Sequence, residues 1–471
     1  MASRRPIGLL GHAVVALGMS ASAASAFAAD PTPPATAVDT VRSMTLVQAR
    51  EHARTHHGRV VAARQRLEAA RRDARVADAQ WLPRVGAMAQ LVGSTTNNST
   101  TTLLGTSAVD LPRIGATVVQ ASADGQPYPS TGVALGLRQE LFDFGRITAE
   151  RQAGVLAAEV DEVRLGSAAL DVQLAVDQAF YGVLAAVAIQ EASKGAFDRA
   201  VQHGKLAQAN VQSGLRPPIE GTRAVADVAR YETALMRAQA GVRVARGVFA
   251  VAVGVDELEL DAGGVGPDSG PLPPLASLLG SIQRAPAVLE WKARAEAQRA
   301  ETTRLEAQNR PNLMATAAVS SRAGGAPPNS GPIPYGDGWL PTVPNYSAGV
   351  VLTWNLVEPT WNRRAAASRS REQALAAEAE LALRSQRGLA NASYQEAAVA
   401  AASLGTLQRG ADAARANYEQ AEQRFRVGVG TSTELADAQA LRTESEVQLA
   451  IGRFQVSRTR AALERALAEV R

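Results

Sequence analysis

The sequence predicts a mainly α-helical fold with a smaller β portion, built from two similar halves of one chain. Long proline-free stretches rich in Ala, Arg and Glu predict long helices. The chain has 46% hydrophobic but only 4% aromatic residues, which suits closely packed helices. Short segments of alternating apolar and polar residues predict strands. Because the same order of elements returns in the second half, the two halves are expected to be structural repeats.

The first 28 residues have the pattern of a secretory signal peptide. Arg4 and Arg5 precede an apolar run over residues 7–19, and small residues ending at Ala28 follow. This order of charged, apolar and small regions is typical of export signals. The sequence therefore predicts cleavage after Ala28, an N-terminal extension over residues 29–44, and a protein that leaves the cytoplasm.

Composition excludes several classes of site. With no cysteine, a disulfide framework, a thiolate zinc site and a cysteine-linked lipid anchor are excluded. The net charge of +4 and pI of about 9.6 reflect arginines that alternate with Glu and Ala, without interleaved aromatics, so we expect solvated helix faces and no nucleic-acid partner. After the signal peptide, no segment of the sequence is expected to be apolar over the roughly 18 residues that a membrane-spanning helix needs. The nearest approach, residues 179–189, is too short. A helical inner-membrane protein is therefore not expected.

The two repeats are predicted at residues 45–253 and 275–471, joined by a Gly-, Pro- and Asp-rich linker over 254–274;. Each repeat begins with a helix that stops near a proline, Pro83 or Pro311. Each then has two strands around a long outer loop and ends in a hairpin of two long helices. The predicted strands are 84–93 and 133–142 in repeat 1 and 312–321 and 347–357 in repeat 2, with loops at 94–132 and 322–346.

The predicted strands each have one apolar and one polar or small face. In the last strand, Ala348, Val350, Leu352, Trp354 and Leu356 point one way. Segments of about ten alternating residues fit strands that cross an outer membrane, and a soluble antiparallel sheet with one wet face is the alternative. In lipid, four strands could not close a barrel and an open edge would leave backbone groups unpaired. A membrane-spanning form must therefore oligomerise.

The predicted helices are long enough to need neighbours. Residues 146–213 contain no proline and would span about 100 Å as one helix. In the last helix, Leu449, Val456 and Leu463 recur every seven residues, a pattern suited to coiled-coil contact. An ordinary helical bundle is the alternative, but it does not explain why both helix pairs follow a strand pair.

Three stretches together resemble the outer membrane efflux protein family, the family of TolC. They are LFDFGR at 141–146, the strand-starting WLP and NRP, and YEQAEQRFRVGVGTSTELADAQALRTESEVQLA at 418–450. The last is similar to the family's signature of an aromatic, a Val-Gly turn, a Thr, an acidic-Leu pair and an Asp-Ala pair. The second strand-to-helix junction departs from FDxG and reads Val-Glu-Pro-Thr at 357–360, which leaves its detailed geometry open but not its role.

The resemblance implies a homotrimeric duct in the cell outer membrane with a large periplasmic portion. Each repeat would give two strands to a 12-stranded β-barrel in outer-membrane lipid and long helices to a periplasmic α-helical barrel. The duct would dock with a periplasmic adaptor (membrane fusion) protein and an inner-membrane pump of RND or ABC type. Small-molecule efflux and type I protein secretion use the same duct. The alternative class is a periplasmic coiled-coil structural or adaptor-like protein whose strands form a soluble domain.

The resemblance places adaptor-docking tips at two turns, residues 213–218 and 427–433. Glycines there suit tight helix-to-helix turns, and threonines can cap the next helix. The expected docking residues are Gly214, Leu215, Arg426, Val427, Gly428, Val429, Gly430 and Thr431.

The resemblance also implies acidic rings at the periplasmic entrance. Glu434 and Asp437 share one face of the helix after the second tip;. The alternative is that acids there only favour the helix dipole. Glu220 and Arg223 occupy the matching places in repeat 1, and a link from Arg223 to Glu434 or Asp437 is expected to close the mouth.

Aromatic residues mark the predicted membrane boundary. Trp81, Phe142, Phe144 and Trp361 lie at strand ends, where aromatic side chains favour the headgroup layer. Gly145 allows the backbone to bend as strand becomes helix. These five residues are the expected strand-to-helix junctions.

Enzyme chemistry finds no support in the sequence. Nucleophile-elbow, P-loop and paired-carboxylate motifs are missing, and the DFG at 143–145 lacks the other kinase motifs. His52 and His56 have metal-ligand spacing beside His57, but no flanking carboxylate completes a site. The sequence therefore predicts no enzyme activity, no cofactor and no bound metal.

Overall fold

The computed structural model describes residues 41–94, 128–264, 270–324 and 343–469. The predicted signal peptide, most of the extension 29–44, most of both outer loops and part of the linker lie outside the described residues. In repeat 1 and the linker the elements are β1 (Ser43–Met44), α1 (Leu46–His56), α2 (Gly58–Val76), β2 (Arg84–Ser94), β3 (Tyr128–Phe142), α3 (Arg146–Gln212), α4 (Pro218–Val253) and β4 (Asp261–Ala262). In repeat 2 they are α5 (Leu275–Leu278), α6 (Pro286–Ala307), β5 (Asn312–Gly324), β6 (Val343–Thr353), α7 (Pro359–Arg426) and α8 (Ser432–Leu467).

The two repeats match closely in their helices. The long helices α3 and α7 have 67 and 68 residues, and their partners α4 and α8 have 36 each. Helix α3 packs against α1, α2, α4, α6 and α8, and α7 packs against α6 and α8. Buried alanines are frequent along α3 and α7, and small side chains let helices approach closely. The mainly α fold with two repeats is confirmed.

The four long strands form one antiparallel sheet in the order β2-β3-β5-β6. Their register brings the four predicted apolar rows onto one face: Leu135 lies between Ala87 and Val319, and Ala315 lies opposite Val350. The register is strongly specified, because a slip of one residue would move every apolar side chain of a strand to the opposite face. A bulge between Glu140 and Phe142 ends the regular pairing of β3 with β5.

The two faces of the sheet differ in burial. The large apolar side chains of one face are exposed, with Leu135 55% and Val350 62% accessible. On the opposite face Ala134, Met314 and Ala318 are buried. On the central strands β3 and β5, the apolar face is therefore the more accessible of the two.

The strand ends differ from the sequence prediction for 347–357. Strand β6 ends at Thr353, so Trp354 and Leu356 lie beyond it. The indole Nε1 of Trp354 donates to the carbonyl of Asn309 at 3.1 Å, and α7 begins shortly after, at Pro359. Strands β3, β5 and β6 also extend further towards the outer loops than predicted, because backbone pairing continues where apolar alternation has ended.

One helix corrects the expectation about membrane-spanning segments. Among the described residues, α3 is long and apolar enough to cross a membrane by length and composition. Alanines and valines around Val172 and Val183 make it so, although Asp171 and Asp177 interrupt them. Its five helix neighbours, α1, α2, α4, α6 and α8, identify it as a core helix of the bundle.

The largest apolar core lies where α1, α3 and α4 meet. Val176, Phe180, Val183, Phe249 and Val253 are almost completely buried there. Two smaller cores lie towards the ends of the long hairpins, around Tyr418 and Phe425 and around Ala196 and Tyr231. These cores fix the tips relative to each other.

Candidate functional site: the helical tips and the strand-to-helix junctions

The second tip turn is a Schellman motif at the end of α7. The amide of Gly428 donates to the Phe425 carbonyl at 3.1 Å, and that of Val429 donates to the Arg424 carbonyl at 3.0 Å;. Gly428 has a φ of +82°, which favours glycine. Thr431 then caps α8, its Oγ1 accepting from the Glu434 amide at 3.1 Å;.

Gly430 is required for a different reason, because the turn is crowded there. A Cβ at this position would lie 3.0 Å from the backbone nitrogen of Phe425 and 3.1 Å from the carbonyl carbon of Arg424. Backbone atoms cannot move aside as a flexible side chain can. Glycine at position 430 therefore indicates close packing of the turn against the end of α7.

The first tip turn lies against the second through one side chain, Arg216. Its Nη2 donates to the carbonyls of Gly430 at 2.9 Å and Gly428 at 3.3 Å. The guanidinium also lies 5.4 Å from the centre of the Phe425 ring and 3.5 Å from the Glu220 carboxylate. Sequence reasoning missed Arg216, because a contact across 212 residues leaves no local pattern.

The expected docking residues lie together at this joined tip. Gly214, with a φ of +75°, ends α3, and Leu215 follows it with 74% of its surface exposed. Val427 and Val429 are also exposed, at 73% and 69%. Arg426 forms an ion pair with Glu422 at 2.8 Å. Three uncovered apolar side chains thus project from two turns that Arg216 joins.

The expected entrance residues have other partners within one chain. Arg223 donates to the Thr433 Oγ1 at 2.8 Å, and Glu434 pairs with Arg424 at 3.0 Å. Asp437 is exposed and makes no hydrogen bond or ion pair with the described residues. The predicted link from Arg223 to Glu434 or Asp437 is therefore not formed within the protomer, because Arg223 donates to Thr433 and Glu434 pairs with Arg424.

A polar cluster further along the same hairpins was also missed. The Tyr418 hydroxyl lies 2.5 Å from the His203 Nε2, and the guanidinium of Arg442 lies 4.8 Å from the Tyr418 ring centre. Burial, with the nearby Glu422 carboxylate, raises the pKa of Tyr418 to about 12;. Burial lowers the pKa of His203. Both side chains are therefore neutral at pH 7 and hold α3 against α7.

At the first strand-to-helix junction, the buried Asp143 organises the bend. Its Oδ1 accepts from the Gly145 amide at 3.0 Å, and its Oδ2 accepts from the Ile147 amide, so the carboxylate caps α3. Gly145 has a φ of +88°, and a Cβ there would lie 2.8 Å from the Arg310 Nη1. The same Arg310 nitrogen donates to the Phe144 carbonyl at 3.0 Å. The DFG triplet is thus a capped turn.

The aromatic residues of the junctions are partly exposed. Phe142 and Phe144 contact each other edge to face, with ring centres 4.7 Å apart. Trp81 ends the 3₁₀ turn before β2, and the Gln139 side chain donates to its carbonyl. Trp361 lies in the first turn of α7, with the Arg364 guanidinium 4.9 Å from its ring centre.

At the second junction a carboxylate also caps the following helix, but the residues differ from those of the first junction. Glu358 is the N-cap of α7 and accepts from the Thr360 amide at 3.1 Å. Pro359 occupies the first helical position, where a missing amide hydrogen costs nothing. No glycine with positive φ lies in residues 354–359. Its departure from FDxG therefore replaces an aspartate cap by a glutamate cap.

The histidines near the N-terminus have structural partners. His52 and His56 stack with ring centres 4.6 Å apart, and the His57 Nδ1 accepts from the Arg59 amide to cap α2. Within the described residues no group of three His, Cys, Asp or Glu side chains could hold a metal ion.

The sequence matches the outer membrane efflux protein family over residues 49–254 and 280–469. Among curated proteins, none matches the chain.

Three solved membrane proteins share the fold at low sequence identity. A membrane protein from Pseudomonas aeruginosa is 18% identical with a TM-score of 0.71, covering 93% of this chain and 96% of that one. The outer membrane protein VceC of Vibrio cholerae is 18% identical with a TM-score of 0.67, covering 90% and 96%. The outer-membrane channel OprN is 18% identical with a TM-score of 0.70, covering 90% of both chains.

Proposed function

The chain belongs to the outer membrane efflux protein family, and from that premise we propose that three copies form a continuous conduit for cargo delivered by a periplasmic partner. As a family member the protein is an outer-membrane exit duct with a large periplasmic helical portion. The alternative of a periplasmic adaptor-like protein with a soluble sheet is not supported.

The observation that carries the proposal is the two-faced sheet. Its apolar face is exposed along all four strands, and on its polar face Ala134, Met314 and Ala318 of the two central strands are buried. An outward apolar band and a polar interior are what a membrane-spanning barrel requires. Strands β2 and β6 are the outer strands of the sheet, and their unpaired edges would be costly in lipid. Pairing β2 of one copy with β6 of the next satisfies them, and three copies give twelve strands.

The helices offer matching surfaces for neighbouring copies. Val244, Val248 and Val251 on α4 and Leu389 and Val399 on α7 are each more than half exposed. In the part of the bundle nearer the tips, α4 packs against α3, α3 against α8, and α8 against α7. The two exposed rows, on α4 and on α7, therefore lie at opposite edges of this four-helix layer. Contact between α4 of one copy and α7 of the next would bury both rows and close a helical barrel.

The joined tips are the proposed docking surface for a periplasmic adaptor, with an RND- or ABC-type pump behind it. Leu215, Val427 and Val429 would be the apolar contacts. Glu434 and Asp437 follow directly and, repeated three times, would ring the entrance, with Glu220 and Arg223 beside them. The cargo, small molecules or a secreted protein, would be selected by the pump.

Planar bilayers test the conduit. We expect purified protein to give discrete conducting steps, whereas a protein that binds membranes without conducting would contradict the proposal. Val319→Arg, on the apolar face of β5, should abolish insertion, because a charge facing mid-membrane lipid costs about 2–4 kcal/mol. Ser320→Arg, the next residue on the polar face, is the matched control and should still conduct.

A further inference from the structure

Two arginines lie side by side on the polar face of the sheet. The register places Arg84 of β2 directly opposite Arg138 of β3. Directly opposed residues in an antiparallel pair have Cβ atoms about 5 Å apart, and like charges there destabilise the sheet. Neither arginine makes a hydrogen bond or ion pair with a described residue. Two positive charges, neither of them paired with a described residue, therefore lie side by side on the polar face.

The strands contain almost no other charge. Over the described side chains of the four strands, residues 84–91, 131–142, 312–321 and 344–353, the charged residues are Arg84, Arg138 and Glu140. Glu140 is matched already: Arg146 lies 3.6 Å from its carboxylate, and the Asn312 amide donates to both its oxygens at 3.1 Å. Among these described side chains, the net charge of the polar face is positive and lies at the helix-proximal end of the sheet.

We propose that Arg84 and Arg138 form a cationic ring inside the barrel and make the duct favour small organic anions, such as carboxylates and phosphates, at its membrane-spanning end. The inference rests on the proposed trimer, in which two arginines per copy become six around one lumen. Rings of arginine select anions in pores, and the guanidinium fork suits carboxylate and phosphate oxygens.

The size of the effect follows from elementary electrostatics. Six unit charges about 10 Å from the axis, in water with about 0.1 M salt, raise the local concentration of a monovalent anion roughly fivefold. A divalent anion gains the square of that factor. The acidic rings proposed at Glu434 and Asp437 act at the other end of the long helices, far beyond the screening length. The two ends of the duct can therefore differ in preference.

The test compares chloride and potassium permeability in planar bilayers from the reversal potential in a KCl gradient. The double variant Arg84→Gln/Arg138→Gln should lower the chloride-to-potassium permeability ratio several-fold, with conducting steps retained. The single variant Arg138→Glu should lower it similarly, because the new carboxylate neutralises Arg84. Arg64→Gln/Arg66→Gln, which removes two exposed charges from α2, is the matched control and should leave the ratio unchanged.

Two results would overturn the inference, and they are distinguishable. If the wild-type protein conducts and the arginine variants keep its permeability ratio, the cationic ring is wrong while the conduit stands. If the wild-type protein does not conduct at all, the proposed conduit fails and the ring fails with it. Because neither arginine has a hydrogen-bond or ion-pair partner among the described residues, a variant that does not fold would contradict the uncompensated charges on which the inference rests.

Discussion

At the scale of single residues, Arg216 joins two turns that are 212 positions apart. Its guanidinium reaches the carbonyls of Gly428 and Gly430, the Phe425 ring and the Glu220 carboxylate. An arginine can do this because its donors are spread over a planar fork. This contact holds the second tip turn, which carries the exposed Val427 and Val429, against the first.

Replacing Arg216 by alanine should loosen the second tip. Hydrogen bonds from a charged group contribute about 1.5–3 kcal/mol each, so we expect amide exchange in residues 424–431 to become at least about tenfold faster. Hydrogen exchange measured by mass spectrometry would show this. Arg223→Ala, which removes a single bond to Thr433, is the control, and equal exchange in both variants would contradict the clamp.

Glycine and capping residues of the tips could be predicted from the sequence, whereas their partners could not. Gly214, Gly428 and Thr431 act within their own turns, and such local conformations leave a short sequence pattern. Arg216 and the His203–Tyr418 pair act across more than 200 residues. The capping role of Asp143 could not be predicted for a different reason, because it depends on where β3 ends.

At the scale of elements, the ion pair between Arg50 and Asp177 attaches α1 to α3. Two hydrogen bonds of 2.6 Å join them, and the Asp177 side chain is only 3% exposed. Burial raises the pKa of Asp177 more than Arg50 lowers it, whereas Asp177 raises the pKa of Arg50. The pair is therefore attractive, but burying its carboxylate is costly.

Removing one partner of this pair should destabilise the protein more than removing both. Arg50→Ala leaves a buried carboxylate unpaired, and we expect a loss of about 3 kcal/mol, the low end for such changes because Arg50 is one-third exposed;. Arg50→Leu/Asp177→Leu should recover most of it. Urea unfolding in detergent, followed by circular dichroism, measures both.

The pH dependence supplies a check on the same variant. In Arg50→Ala the folded-state pKa of Asp177 lies still further above its unfolded value, so the protonated form stabilises the fold. That stability is complete below the unfolded pKa of about 3.9 and is lost as pH rises through the folded pKa. The deficit of the variant should therefore shrink between pH 7 and pH 4. A deficit that stays constant would contradict the buried carboxylate as its cause.

Elements were more predictable than their ends. The period-two alternation of apolar residues predicted all four long strands and their shared apolar face. The face is strictly specified, because a slip of one residue would move the apolar side chains to the opposite face. The end of β6 was wrong by four residues, since the side-chain pattern continues through Trp354 and Leu356 after backbone pairing has stopped. The membrane-span expectation for α3 failed because alanine-rich core helices and membrane helices have similar composition.

At the scale of the whole molecule, the open edges of the sheet make a single copy incomplete. Strands β2 and β6 lie at opposite sides of the sheet, and three strand spacings separate them by about 14 Å. Within one copy their residues are therefore too far apart for a disulfide, which needs Cα atoms within about 7 Å. Between copies the proposed pairing would bring them together.

The absence of cysteine from the chain makes this proximity directly measurable. Ala348→Cys on β6 is combined in turn with Val85→Cys, Ala87→Cys and Ala89→Cys on β2, all on the apolar face. Oxidation in membranes should cross-link at least one combination into a ladder that ends at three copies on non-reducing gels. The best combination would give the register between copies.

Two controls decide what the ladder means. Ala317→Cys/Ala348→Cys joins residues that are directly opposed within one sheet, so it should close inside a single copy and show that the oxidant reaches the strands. Ala348→Cys alone should give no ladder, because threefold symmetry keeps its copies apart. Monomers in all three test combinations would contradict a shared barrel. A ladder that continues past three copies would contradict its closure with twelve strands, since the edges would then pair without end.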